Sequence, residues 1–306
     1  MGEEFVSLSL VPITIGAFSS LACTIPGNFL ILRKQALIGD AISHVVLPGI
    51  VVAFLFTGQV TTWPMLIGAT IAAIIAVVLI EITQRVGNIE PGAAMGVIFT
   101  AMFAAGVLLL EQSDTSNVHL DVEHALFGNL ESLIWMDAVG WSSLIDPKAL
   151  ITLPSELYRI SFVLFFIGFF VFIFWRPLVL TSFDEEFGRS IGIPVSLLGL
   201  SLVSLTAIAA VASFDAVGSI IVISMIICPP AAARLLTNRI GTQTLVSLLI
   251  AFFSTIIGYV IAGYVPIWLG FSQTLSAAGT IATISGICLA ISAIFGPHRK
   301  STKKSI

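Results

Sequence analysis

The chain has 306 residues, of which 57% are hydrophobic and only 10% charged, and its mean hydropathy is +1.08. A soluble domain carries about 25% charged residues and a disordered chain is poor in apolar ones, so both classes are excluded and a polytopic helical membrane protein remains. The formal net charge of −4 leaves no basic stripe to hold phosphates, which excludes nucleic acid as a partner.

A helix crosses a bilayer with about 20 predominantly apolar residues. Stretches of that kind cover 8–32, 41–57, 63–82, 92–110, 159–180, 196–213, 217–235, 243–262 and 275–296. The predicted fold is an all-α transmembrane bundle of about nine spans, in a range of seven to nine, built as one membrane domain over 1–306. Glu3 and Glu4 stand where a secretory signal would carry basic residues, so no cleavable signal is expected. Orientation follows from Lys and Arg in short loops. With the C-terminus inside, the inner side collects Arg33, Lys34, Arg85, Arg176, Arg189, Arg234, Arg239, Arg299, Lys300, Lys303 and Lys304, and the outer side keeps only Lys148 and Arg159.

In chain order, the first chemistry-bearing segment is GDAISHVVLPG, 39–49. Asp40 and His44 fall at i and i+4, on one helix face and close enough to share a ligand. His44 lies ten positions beyond Lys34, which at about 1.5 Å per residue is roughly 15 Å deep, near the middle of the bilayer core. Ionisable residues at that depth mark pathways. Pro48 has no N–H, so the His44 carbonyl loses its helical partner and becomes a further oxygen at the same depth. Two ligands hold a divalent ion weakly; a two-fold dimer would double them into an N2O2 set suited to Mn²⁺, Zn²⁺ or Fe²⁺. The alternative is that Asp40 caps the helix and His44 makes an interhelical hydrogen bond.

The long connection 111–158 carries Glu111, Asp114, Asp121, Glu123, Glu131, Asp137, Asp146 and Glu156 on the outer side. It reads as a solvated loop or as an acidic vestibule that attracts cations. His119, Asp121, Glu123 and His124 within it form a weak candidate ion-collecting group.

SFDEEFGRSIGIP, 182–194, follows on the inner side. Ser182 and Glu185 fit a capping box, with Asp184, Glu185 and Glu186 in the first turn. Arg189 follows, and Gly192 with Pro194 fits a stop. Phe183, Phe187 and Ile191 fall at i, i+4 and i+8, an apolar stripe on a helix too short to span. Such a helix lies on the membrane surface or docks into a groove of another protein.

In ICPPAAARLL, 227–236, Pro229 and Pro230 break a membrane span. The break lines a pathway, as in transporters with discontinuous helices, or it is a packing kink. Cys23, Cys228 and Cys288 sit in apolar runs and read as small buried hydrophobes. Asp215 reads as interfacial, near the outer end of a span. The chain contains no Walker-type phosphate loop and no hydrolase motif, so it is expected not to be an enzyme, and energy from ATP would come from another subunit.

Taken together, LRKQALIGDAISHVVLPGI (32–50), IEPGAAMGVIFTAMFAAGVLLL (89–110), HALFGNL (124–130), SFDEEFGRSIGIP (182–194) and AVGSIIVISMIICPPAAARLL (216–236) resemble the ABC-3 permeases, the membrane subunits of bacterial manganese, zinc or iron(II) importers. The resemblance implies two membrane subunits (a homodimer or two paralogues) in the bacterial inner membrane, two cytoplasmic ATPases that bind ATP, and an extracytoplasmic metal-binding protein. It matches Asp40 and His44 to the intramembrane metal positions. It matches 182–194, with Ser182, Phe183, Asp184, Glu185, Glu186, Phe187, Arg189, Ile191 and Gly192, to the cytoplasmic coupling helix. Family members often have Ala at the place of Gly188, which implies a looser coupling element here. Residues 131–158 resemble the manganese subgroup.

The expected function is therefore inward transport of a divalent transition metal, Mn²⁺ first, with Zn²⁺ or Fe²⁺ open. A permease for a larger metal chelate, such as a siderophore or cobalamin, is the alternative; it needs a wide chamber at the dimer axis. An intramembrane metalloenzyme needs three convergent ligands in one chain, and a secondary carrier needs no ATPase.

Overall fold

A computed structural model describes residues 5–58, 62–112, 128, 130–138, 140–270 and 275–297. Its helices are α1 (Val11–Leu32), α2 (Ile38–Thr57), α3 (Thr62–Gly87), α4 (Pro91–Gln112), α5 (Pro147–Ile151), α6 (Ser155–Ile173), α7 (Trp175–Phe183), α8 (Glu185–Ser190), α9 (Val195–Leu236), α10 (Ile240–Trp268) and α11 (Ala277–Phe295). A π-helical turn, Val6–Leu10, precedes α1. No strand occurs among the described residues. The candidate ion-collecting group of His119, Asp121, Glu123 and His124 lies outside them, as do Asp114 and the basic residues Arg299, Lys300, Lys303 and Lys304.

Eight helices among the described residues are long and apolar enough to cross a membrane. The difference from nine lies in α9, a single 42-residue element where the hydropathy pattern separates 196–213 from 217–235. At about 1.5 Å per residue it is roughly twice as long as a bilayer core is thick. Its backbone leaves the helical region at Gly218, with φ 79 and ψ 166, a conformation open essentially to glycine alone. The break therefore falls at Gly218 and not at Pro229–Pro230, where the helix continues to Leu236. The span read over 159–180 is also divided, at Phe174 (φ −93, ψ 17), into α6 and α7.

The chain forms two compact units. The first comprises Met1–Asn28, Glu123–Phe169 and Ser213–Ile306. Two of the carbonyls that prolines orphan within its helices find other donors. Pro229 frees Met225 O, which accepts from the buried Thr24 hydroxyl at 3.0 Å. Pro266 frees Ala262 O, which accepts from Leu275 N–H at 3.1 Å. Buried polar pairs tie α1 to α10: Ser20 with Thr255 at 2.8 Å and Asn28 Nδ2 to Ser247 Oγ at 2.8 Å. The segment before α6 is anchored by Trp135, 1% exposed, whose indole N–H donates to Ala149 O at 3.1 Å. Glu131 accepts from Ala277 N–H at 2.6 Å at the start of α11. Asp215 accepts from Arg159 Nη2 at 2.9 Å, so this acid is paired.

The second unit comprises Phe29–Val122 and Phe170–Ala212. Lipid supplies no hydrophobic drive between helices, so close backbone approach through small residues carries the packing. A Cβ on Gly49 of α2 would lie 2.6 Å from Ala69 Cα and Gly68 O of α3. Pro48 is buried, and a Cβ on Gly106 of α4 would lie 2.8 Å from its ring. Val45, Ala72 and Ala76 form the shared core, with Ile98, Phe99 and Met102 of α4 against it.

Candidate functional site

Helix α2 starts at the N-cap Leu37, which has no side-chain cap bond, and Asp40 lies in the first turn. Asp40 is thus not the cap; its charge sits where the helix dipole favours an anion. The packed positions Ala41, Ile42, Val45, Val46, Pro48 and Gly49 are buried. Asp40, Ser43, His44, Leu47 and Ile50 fall between them at half-buried positions, one stripe along the helix.

His44 Nε2 and Asp40 Oδ1 stand 3.7 Å apart, with side chains 41% and 43% exposed. That is too long for a hydrogen bond. It is close to the roughly 3.4 Å that separates two ligands each about 2.1 Å from a tetrahedral ion. Phe99 stacks on the imidazole, centroids 5.1 Å apart at 18°, and Phe103 meets it edge-on at 5.7 Å and 80°. The two rings restrict the imidazole while leaving the pair open on its other side. Among the described residues no group of three His, Cys, Asp or Glu is placed to hold a metal. All three cysteines belong to the first unit, whereas α2 belongs to the second. Phe99 and Phe103 escape a reading of sequence because apolar residues at i and i+4 in an apolar span carry no distinct signal.

The segment 182–194 differs in detail from the capping box. Helix α7 runs on to Phe183, and the Ser182 hydroxyl donates back to Leu178 O at 2.7 Å. Asp184, extended at φ −145 and ψ 97, is the N-cap of α8, and its carboxylate accepts from Phe187 N–H at 2.9 Å. The helix over 182–194 is thus six residues long. It ends at the cap Ile191, followed by Gly192 at φ +83. Phe183, Phe187 and Ile191 do not share one helix, but each is slightly over half exposed. Glu186 is exposed, and Glu185 pairs with Arg189 at 3.3 Å on the surface. Gly188 is buried, and a Cβ there would approach Thr181 Cγ2 at 3.0 Å. The glycine seats α8 closely on α7, the opposite of a loosened element.

Residues 8–295 match the ABC 3 transport family. Over 285 residues the chain is 37% identical to the manganese transport system membrane protein MntD of Bacillus subtilis (strain 168), covering 93% of this chain and 91% of that protein. It is 32% identical over 299 residues to the zinc transport system membrane protein TroD of Treponema pallidum (strain Nichols), covering 98% and 77%. The solved structure of PsaBC from Streptococcus pneumoniae in complex with Fab shares the fold at a TM-score of 0.72 and 24% identity, over 96% of this chain and 93% of that one. With eight apolar helices long enough to span among the described residues and a family match over nearly its whole length, this multi-pass membrane protein belongs to the ABC 3 transport family.

Proposed function

We infer that the chain is the membrane-spanning permease subunit of an ATP-driven importer, and that it carries Mn²⁺ into the cytoplasm. The observation that carries this reading is the half-exposed Asp40–His44 pair, two ligands at the spacing of one ion with no third beside them among the described residues. A second permease subunit, a further copy or a paralogue, supplies the same pair across a two-fold axis. The N2O2 set then balances the ion with two carboxylates and offers no thiolate. The name of the 37%-identical relative supports manganese; that of the 32%-identical one favours Zn²⁺ as a second reading. Imidazole and carboxylate accept both, and intrinsic affinity ranks zinc above manganese.

The chain lies in the bacterial plasma membrane with its C-terminus and α8 cytoplasmic and 111–158 outside, as the distribution of Lys and Arg supports. An extracytoplasmic binding protein delivers the ion at the outer face. The ion passes to Asp40 and His44, beside which Pro48 leaves the His44 carbonyl as a further oxygen. Cytoplasmic ATPase subunits bind and hydrolyse ATP and move α8, whose exposed Phe183, Phe187 and Ile191 dock into them. The chain contributes binding and motion and no bond chemistry.

Asp40→Ala and His44→Ala test the site. Both side chains are half exposed, so the fold tolerates their loss; uptake of radiolabelled Mn²⁺ into cells falls to background while the permease still reaches the membrane. Wild-type accumulation in either variant rejects the assignment.

A further inference from the structure

Between α1 and α2 the chain reverses through 33–37. Lys34 N–H donates to Ile31 O at 3.1 Å and Gln35 N–H to Leu30 O at 2.9 Å, the paired bonds of a Schellman turn. Its left-handed position, ordinarily glycine, is Lys34 at φ 58. A side chain there costs about 1 kcal/mol, so other contacts must hold the turn. Arg33 makes them. Its Nη2 donates to Thr181 Oγ1 at 2.8 Å and its Nε to Ser182 Oγ at 3.3 Å. Both acceptors stand on the last turn of α7, directly before Asp184 caps α8. Burial pulls the Arg33 guanidinium below its usual pKa, and the charges of Glu185 on α8 and Glu81 on α3 oppose that pull. Gly199 of α9 leaves room for the head group: a Cβ there would lie 2.8 Å from Nη1. All of these residues belong to the second unit.

We propose that Arg33 is a positioning residue for transport: its guanidinium ties the end of α7 and the start of α8 to the turn that leads into α2, so displacement of α8 reorients Asp40 and His44. The inference rests on the roles given above to α8 and to the Asp40–His44 pair. Arg33 and Asp40 are seven positions apart, and the strained turn between the helices is the joint that moves. Two different guanidinium N–H groups are engaged at once, a fixed fork that the single ammonium of lysine does not reproduce.

The test uses the complete importer, with ATPase and binding protein, reconstituted in vesicles with Mn²⁺ as probe. The variants are Arg33→Ala, Arg33→Lys and Gly199→Ala, the last displacing the head group while keeping the charge. In the alanine variants, ATP hydrolysis without metal stays within about twofold of wild type while Mn²⁺ taken up per ATP hydrolysed falls roughly tenfold; Arg33→Lys recovers only part. A purely structural role lowers assembly, hydrolysis and uptake in step and leaves uptake per ATP at the wild-type value, which overturns the proposal. If Arg33→Ala does not assemble, Gly199→Ala decides by the same ratio. Asp40→Ala run in parallel separates the two readings: wild-type transport by it rejects the metal site, whereas an unchanged ratio in Gly199→Ala rejects only the role of Arg33.

Discussion

Thr24 and His44 show opposite settings for a polar residue within apolar helices long enough to span. His44 packs against Phe99 and Phe103 of α4, with its Nε2 3.7 Å from Asp40 Oδ1 and both side chains of the pair partly exposed. Thr24 is wholly buried, and its hydroxyl serves the Met225 carbonyl orphaned by Pro229. Thr24→Val keeps the shape and removes that donor, leaving a buried acceptor unsatisfied at a cost of about 1–3 kcal/mol. Thermal unfolding in detergent should show the loss, while Mn²⁺ uptake by the folded fraction stays near wild type. An unchanged melting temperature would mean that the carbonyl finds another donor. The proximity of Asp40 and His44 was legible from spacing alone, because i and i+4 on a helix fixes it. Thr24 was not, since its partner is 201 positions away.

At the scale of elements, hydropathy located the spans and small residues locked them together. Backbones of α2 and α3 touch at Gly49 and Gly68, where neither chain can yield as a flexible side chain would. Gly49→Ala should therefore destabilise the second unit by about 1–3 kcal/mol and lower the yield of folded permease in size-exclusion chromatography; a normal profile and melting curve would contradict this packing. On α8, Phe187 is 52% exposed on a helix seated by Gly188 and capped by Asp184. Phe187→Asp should abolish co-purification of the ATPase subunits and ATP-dependent uptake, leaving the membrane level of the permease unchanged. Retained co-purification would exclude docking through this ring. The helix itself was foreseeable, but its cap was not. Ser182 and Asp184 both suit an N-cap, and the extension of α7 to Phe183 selects the second. Likewise Pro229–Pro230 promised the break in α9, but a donor on α1 repairs the helix there and the glycine at 218 takes the turn.

For the whole molecule, one pair of ligands per chain predicts one transported ion per two permease subunits. Metal analysis of the purified complex trapped with Mn²⁺ should give a ratio near one half, and one ion per subunit would require a complete site within each chain. Length and composition by themselves determined that this is a bundle of membrane helices, because so much apolar surface has no other stable solvent. Residue spacing determined that Asp40 and His44 stand side by side, because helical periodicity is local. Tertiary structure alone decided where α9 breaks, which residue caps α8, what flanks His44, and that Arg33 reaches Thr181 and Ser182. Each of those outcomes depends on donors, acceptors and close contacts brought together from distant parts of the chain, and no local pattern encodes such a meeting.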